Sequence, residues 1–159
     1  MINTERELRR MSEKKFKIGY TTGVFDLFHI GHLNIIKRAK EQCEHLIVGV
    51  STDELVKEYK NKYPIIPYEE RKQIIEALKY VDEVVPQTTM DKYAAWENLH
   101  YEALFHGDDW KNSDMYNKYV EEFEGTGVEF VFLPHTEGTS STMLTEVLQT
   151  IREQQGGKI

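Results

Sequence analysis

His29 and His32 stand three positions apart in the segment Gly23-Val24-Phe25-Asp26-Leu27-Phe28-His29-Ile30-Gly31-His32. The helical periodicity begins at Gly31, so both rings sit at the start of a helix. Unpaired N–H groups and partial positive charge collect at such an end and favour phosphate. Imidazole N–H groups donate to phosphate oxygens and stabilise charge that builds up in a transition state. Gly31 lets a ligand or backbone approach closely. The same spacing also fits two ligands of a metal site whose third ligand is not evident, or two unrelated histidines. A second anion-binding candidate is Thr136-Glu137-Gly138-Thr139-Ser140-Ser141-Thr142, which opens the last helix. There Ser140 and Ser141 add hydroxyls to helix N-terminal amides, although a plain N-cap reads the same way. Lys60, Lys62, Arg71, Lys72 and Lys79 form a basic stretch, whose plainest reading is a solvated face.

These residues need elements to hold them. Residues 16–22 predict a strand, 23–30 a loop and 31–42 a helix with Leu33, Ile36 and Ala39 on one face. The apolar run 45–50 has the pattern of a buried parallel strand. Ser51, Thr52 and Asp53 cap a short helix, and 57–67, with two prolines, predicts a loop. A helix over 68–80 and a strand over 81–85, stopped by Pro86, follow. Then come a helix over 91–100, a strand over 103–106, a helix over 113–124, a strand over 128–133 and a helix over 141–153. This alternation predicts an α/β fold, a single Rossmann-like, doubly wound parallel sheet of five strands with helices on both faces. The loops at 23–32, 106–110 and 134–141 all follow strands. They should gather at the carboxyl edge of the sheet, where such folds bind ligands.

A chain of 159 residues fits one domain. We expect a charged arm at 1–15, one domain at 16–154 and a flexible tail at 155–159. No apolar run approaches the roughly 20 residues of a membrane span, and the charged N-terminus is not a secretory signal. One cysteine, Cys43, can form no internal disulfide, so the expected location is the cytoplasm. The net charge of −7 argues against nucleic-acid binding, which rests on Lys and Arg.

The segment from Gly23 to Lys40 resembles the signature of the HxGH nucleotidyltransferase superfamily, its cytidylyltransferase-like group. Tyr68-Glu69-Glu70-Arg71-Lys72, Tyr80-Val81-Asp82-Glu83-Val84-Val85-Pro86, Gly107-Asp108-Asp109-Trp110 and the 136–142 segment follow in the same order. Together they are similar to the glycerol-3-phosphate cytidylyltransferases of bacteria, from about residue 17 to 150. The resemblance implies transfer of a cytidylyl group from CTP to glycerol 3-phosphate, giving CDP-glycerol and pyrophosphate. The alternatives are another polyol or amino-alcohol phosphate as acceptor, ATP as donor, or a nucleotide-binding module without turnover.

The resemblance also assigns residues. His29, His32, Lys60 and Lys62 become catalytic. Gly23, Val24, Phe25, Gly107, Asp108, Trp110, His135, Thr136, Ser140 and Ser141 become nucleotide-binding. Arg71 and Lys79 become acceptor-binding, Arg71 with a dimer contact as its other role. Asp26 either shapes its loop or meets ligand. Mg²⁺ is expected with the triphosphate, its protein ligands unknown, and a homodimer is expected. The family often carries Thr where Val24 stands and Arg where His135 stands. The second change replaces a permanent forked cation with an imidazole, which lacks the guanidinium's fork.

Overall fold

A computed structural model of the protein describes residue 5 and residues 13–156. The expected arm lies largely outside the described residues, as does most of the expected tail. The described elements are β1 (Phe16–Gly23), α1 (Ile30–Gln42), β2 (Cys43–Ser51), α2 (Asp53–Lys60), α3 (Tyr68–Glu76), β3 (Glu83–Gln87), α4 (Lys92–Leu99), β4 (Ala103–Gly107), a 3₁₀ turn (Asp108–Trp110), α5 (Asp114–Glu122), β5 (Glu129–Leu133) and α6 (Ser141–Gln154).

The five strands form one sheet in the order β3-β2-β1-β4-β5, every neighbouring pair parallel. Side chains alternate across a strand, so the sheet buries apolar residues on both faces. Leu46, Val48, Val50 and Phe105 pack with Ile36 and Ala39 of α1 and Ile75 of α3. On the other face Tyr20, Ile47 and Leu104 pack with Tyr119 of α5 and with Tyr101 and Phe123. Strand order reverses between β1 and β4. A crevice opens at that point, outside the carboxyl ends of the strands.

Three element ends have a physical reason for departing from the periodicity reading. β3 runs through Pro86, which pairs with Val50, instead of stopping there. It is an edge strand, and an edge tolerates the missing donor. α2 continues to Lys60 and ends where Asn61 turns left-handed, with φ 55°. α3 stops at Glu76, its end tightened by Ala77 donating to both Gln73 and Ile74. No described helix is long and apolar enough to cross a membrane.

Candidate active site

The loop from β1 to α1 is strained and is pinned on three sides. Phe25 and Leu27 both have positive φ, 54° and 50°. A left-handed conformation costs a non-glycine residue about 1–2 kcal/mol, so surrounding contacts must hold it. The Asp26 carboxylate accepts from the Ile65 and Ile66 amides at 2.8 and 2.9 Å. Its carbonyl accepts from the Ser141 hydroxyl at 2.6 Å. The Val24 carbonyl accepts from Arg71 Nη1 at 2.7 Å. Phe25 is buried, its ring edge-on to His32. Of the two readings of Asp26, its hydrogen bonds are those of a loop-shaping residue.

This loop delivers the histidines in a defined state. His29 is the N-cap of α1, and its Nδ1 accepts from the Gly31 amide at 3.0 Å. The His29 amide in turn donates to His32 Nδ1 at 3.3 Å. The pair forms a capping box with imidazoles in the places of the usual hydroxyl and carboxamide. Because each Nδ1 accepts, each neutral ring carries its proton on Nε2. Burial, and then the neighbouring His29, hold His32 down at about 4; burial also lowers His29. Both rings are therefore neutral Nε2–H donors near pH 7, with centroids 3.9 Å apart. His32 Nε2 meets the Ser141 hydroxyl at 3.4 Å, a long contact that a phosphate oxygen can displace. A Cβ on Gly31 would lie 2.8 Å from His29 Cε1, so only glycine leaves that ring in place.

A cavity of about 710 Å³ opens beside His32. Its walls include Gly23, Val24, Phe25, Lys60, Lys62 and Ser141, all named from the sequence. Burial, and then Lys62, lower the Lys60 ammonium below its usual value, while Asp26 acts the other way.

The other expected residues lie elsewhere. Gly107 and Asp108 are at the end of β4, where an Asp108 oxygen accepts from the His135 amide at 3.3 Å. His135 itself is exposed. Thr136 accepts from Asn34 Nδ2 of α1 at 3.0 Å, and Ser140 caps α6 through the Met143 amide. None of His29, Gly107, Asp108, His135, Thr136 and Ser140 lines the cavity.

Three expectations need correction. Arg71 is 1 % exposed, and its guanidinium donates to the carbonyls of Ile66, Val24 and Ser51 and to Asp53, at 2.7–2.8 Å. It ties loops together and offers no face to an acceptor. Lys79 is exposed beside the Tyr80 ring. It precedes β3, at the amino edge of the sheet, opposite the cavity. Trp110 stacks nearly parallel on His106, 4.2 Å away, with Tyr119 at 6.0 Å. The indole is engaged in this aromatic stack and does not line the cavity.

The sequence did not single out Lys92 or His106. Lys92, on α4, is 2 % exposed and donates to the hydroxyl of Thr22, a cavity residue. Burial lowers its ammonium to about 7. His106 lies beside the same spot, since Thr21 pairs with Phe105 across β1 and β4. Its Nε2 is buried without a partner, and burial followed by Lys92 holds the ring at about 3. Thr22 and His106 thus flank the point where strand order reverses. A lysine in an ordinary helical pattern gives no sign in the sequence that it is buried.

The profile of the cytidylyltransferase-like family matches residues 20–147. The chain is 38% identical over 133 residues to the glycerol-3-phosphate cytidylyltransferase of Bacillus subtilis strain 168, covering 79% of this chain and 92% of that one. It is 33% identical over 129 residues to the enzyme of the same name from Staphylococcus aureus strain NCTC 8325, covering 80% and 92%. Among solved structures, the lipopolysaccharide core biosynthesis protein of Thermoplasma volcanium superposes with a TM-score of 0.64 at 24% identity. That likeness covers 78% of this chain and 99% of that one, and it concerns the fold.

Proposed function

The chain belongs to the cytidylyltransferase-like family, and from that premise we propose that it transfers the cytidylyl group of CTP to glycerol 3-phosphate. A phosphate oxygen of the acceptor attacks the α-phosphorus of CTP. The bond from that phosphorus to the bridging oxygen breaks, and pyrophosphate leaves with the electron pair. No enzyme nucleophile is needed, so the protein contributes position and charge stabilisation. The observation that carries this reading is the pair of neutral Nε2–H donors, His29 and His32, of which His32 lines a cavity shared with Lys60 and Lys62 and His29 packs against it.

Mg²⁺ enters this reading as part of the substrate. Among the described residues no three His, Cys, Asp or Glu side chains gather as a metal cage. Both oxygens of Asp26, the cavity's carboxylate, are already on amides. Magnesium commonly binds through substrate phosphates and keeps much of its water, which suits a metal–nucleotide substrate.

Lys92 is itself 2 % exposed and outside the cavity lining, so it acts on the acceptor phosphate as a positioning residue, through its bond to the Thr22 hydroxyl in the cavity wall. Its ammonium titrates at about 7, so the free enzyme loses that charge as pH rises. kcat/KM for the acceptor, which reports the free enzyme, is expected to fall above pH 7, toward roughly tenfold per unit. Lys92→Arg keeps the charge and should flatten the profile. A wild-type profile flat to about pH 9 would separate Lys92 from acceptor binding.

The test of the whole reading is pyrophosphate release with Mg²⁺, either CTP or ATP, and a panel of glycerol 3-phosphate, other polyol phosphates and amino-alcohol phosphates. We expect CTP with glycerol 3-phosphate to be the fastest pair. Release with ATP alone would overturn the cytidylyl assignment, and release with no pair would leave only a nucleotide-binding module. A two-fold homodimer fits the exposed apolar row Met143, Val147 and Ile151 on α6; a monomer in sedimentation would refute it. The single free, buried Cys43 fits the cytoplasm, which cell fractionation would check.

A further inference from the structure

α6 forms a whole wall of the cavity. The residues it contributes are Ser141, Thr142, Thr145, Leu148, Gln149 and Arg152. Steps of three and four place them on one stripe of a helix, while Met143, Val147 and Ile151 face elsewhere and are exposed. At 1.5 Å per residue the stripe runs about 16 Å. It starts at Ser141, in contact with His32, and ends at Arg152, whose long side chain, like others on a helix, leans back toward the N-terminus.

Three cations therefore share one cavity: Lys60 at the end of α2, Lys62 in the loop just after it, and Arg152 near the end of α6. The carboxylate among its walls, Asp26, is bonded to two amides. Among the described residues no carboxylate lies within ion-pair distance of Arg152. The chain as a whole carries −7, so gathering cations here runs against its composition. Like charges brought together without a counter-charge are unfavourable unless an anion joins them. A single phosphate at the histidines would not extend along this wall, whereas a chain of phosphates would.

We propose that Arg152 binds the β,γ-phosphate end of the nucleotide, the part that leaves as pyrophosphate. This rests on the nucleotide reading above and extends the phosphate site to the far end of α6. The planar fork of a guanidinium suits two phosphate oxygens at once. Arg152 is thereby a phosphate-binding residue that favours the triphosphate over the monophosphate. A cation in the last turn also offsets the helix dipole, but that role would appear in thermal stability and not in ligand preference.

The experiment is calorimetric titration of the full chain and its Arg152→Gln and Arg152→Lys variants with CTP, CMP and pyrophosphate, each with Mg²⁺, alongside thermal melts. Arg152→Gln is expected to weaken CTP and pyrophosphate by about tenfold, in line with loss of one charge-assisted hydrogen bond. CMP affinity should stay within roughly twofold, the melt should barely move, and Arg152→Lys should recover part of the loss. Equal weakening of CMP, or no weakening of CTP and pyrophosphate, would overturn the assignment. Wild-type protein that binds none of the three would instead sink the nucleotide reading, and this inference with it.

Discussion

His32→Ala is expected to lower kcat by roughly 10²–10³-fold, the usual cost of removing one preorganised donor from a developing anion. The ring is set by its neighbours before any substrate arrives. Its Nδ1 is occupied by the His29 amide, its faces by Phe25, Phe28 and His29, and its Nε2–H points to Ser141. The donor therefore needs no reorganisation during reaction, and its loss should fall on kcat more than on the KM for CTP. Because burial holds His32 at about 4, its donor state does not change between pH 6 and 8. Burying the ring neutral does link stability to pH. Its folded value lies below the unfolded one of about 6.5. That contribution is intact above pH 6.5 and is lost as pH falls from there through 4. Steady-state kinetics with a melt on the same sample check both points. Turnover near wild type in a folded His32→Ala protein would remove the role given to the ring.

Arg71→Ala is expected to cost about 3–5 kcal/mol of stability, the range for breaking a buried ion pair by removing one partner. The guanidinium is 1 % exposed and ties four places together: the strained loop at Val24, the end of β2 at Ser51, the start of α2 at Asp53, and Ile66 just before α3. Removing it leaves three carbonyls and a carboxylate short of a partner. Arg71→Lys should rescue little, since an ammonium cannot reproduce the planar fork that spans them. Denaturant unfolding gives the number directly. A folded Arg71→Ala protein of near-normal stability, defective only in its KM for the acceptor, would return Arg71 to the substrate site.

The contrast between His32 and Arg71 shows where the sequence stopped being informative. Both were named from linear motifs. The histidine pair could be placed because its geometry is local: three residues at a helix start bring the rings together whatever the rest of the chain does. Arg71 could not be placed, because its partners lie 5 to 47 positions away. The same motif letters serve a ligand contact or a buried strut, and only packing distinguishes them. Trp110 follows the same rule. Its stacking neighbours His106 and Tyr119 come from β4 and α5, which no spacing brings together.

The amino-acid sequence by itself determined the five alternating strands and helices, the gathering of loops at one edge of the sheet, and the histidine pair at the start of a helix. Those features follow from short-range periodicity and from backbone groups that any helix end exposes. The tertiary structure alone decided that Lys92 is buried against Thr22, that Arg71 holds the loops, and that α6 lies along the cavity with Arg152 at its end. Burial and charge environment depend on which distant segments are packed together. A residue's role in the site is therefore fixed only once the sheet has closed around it.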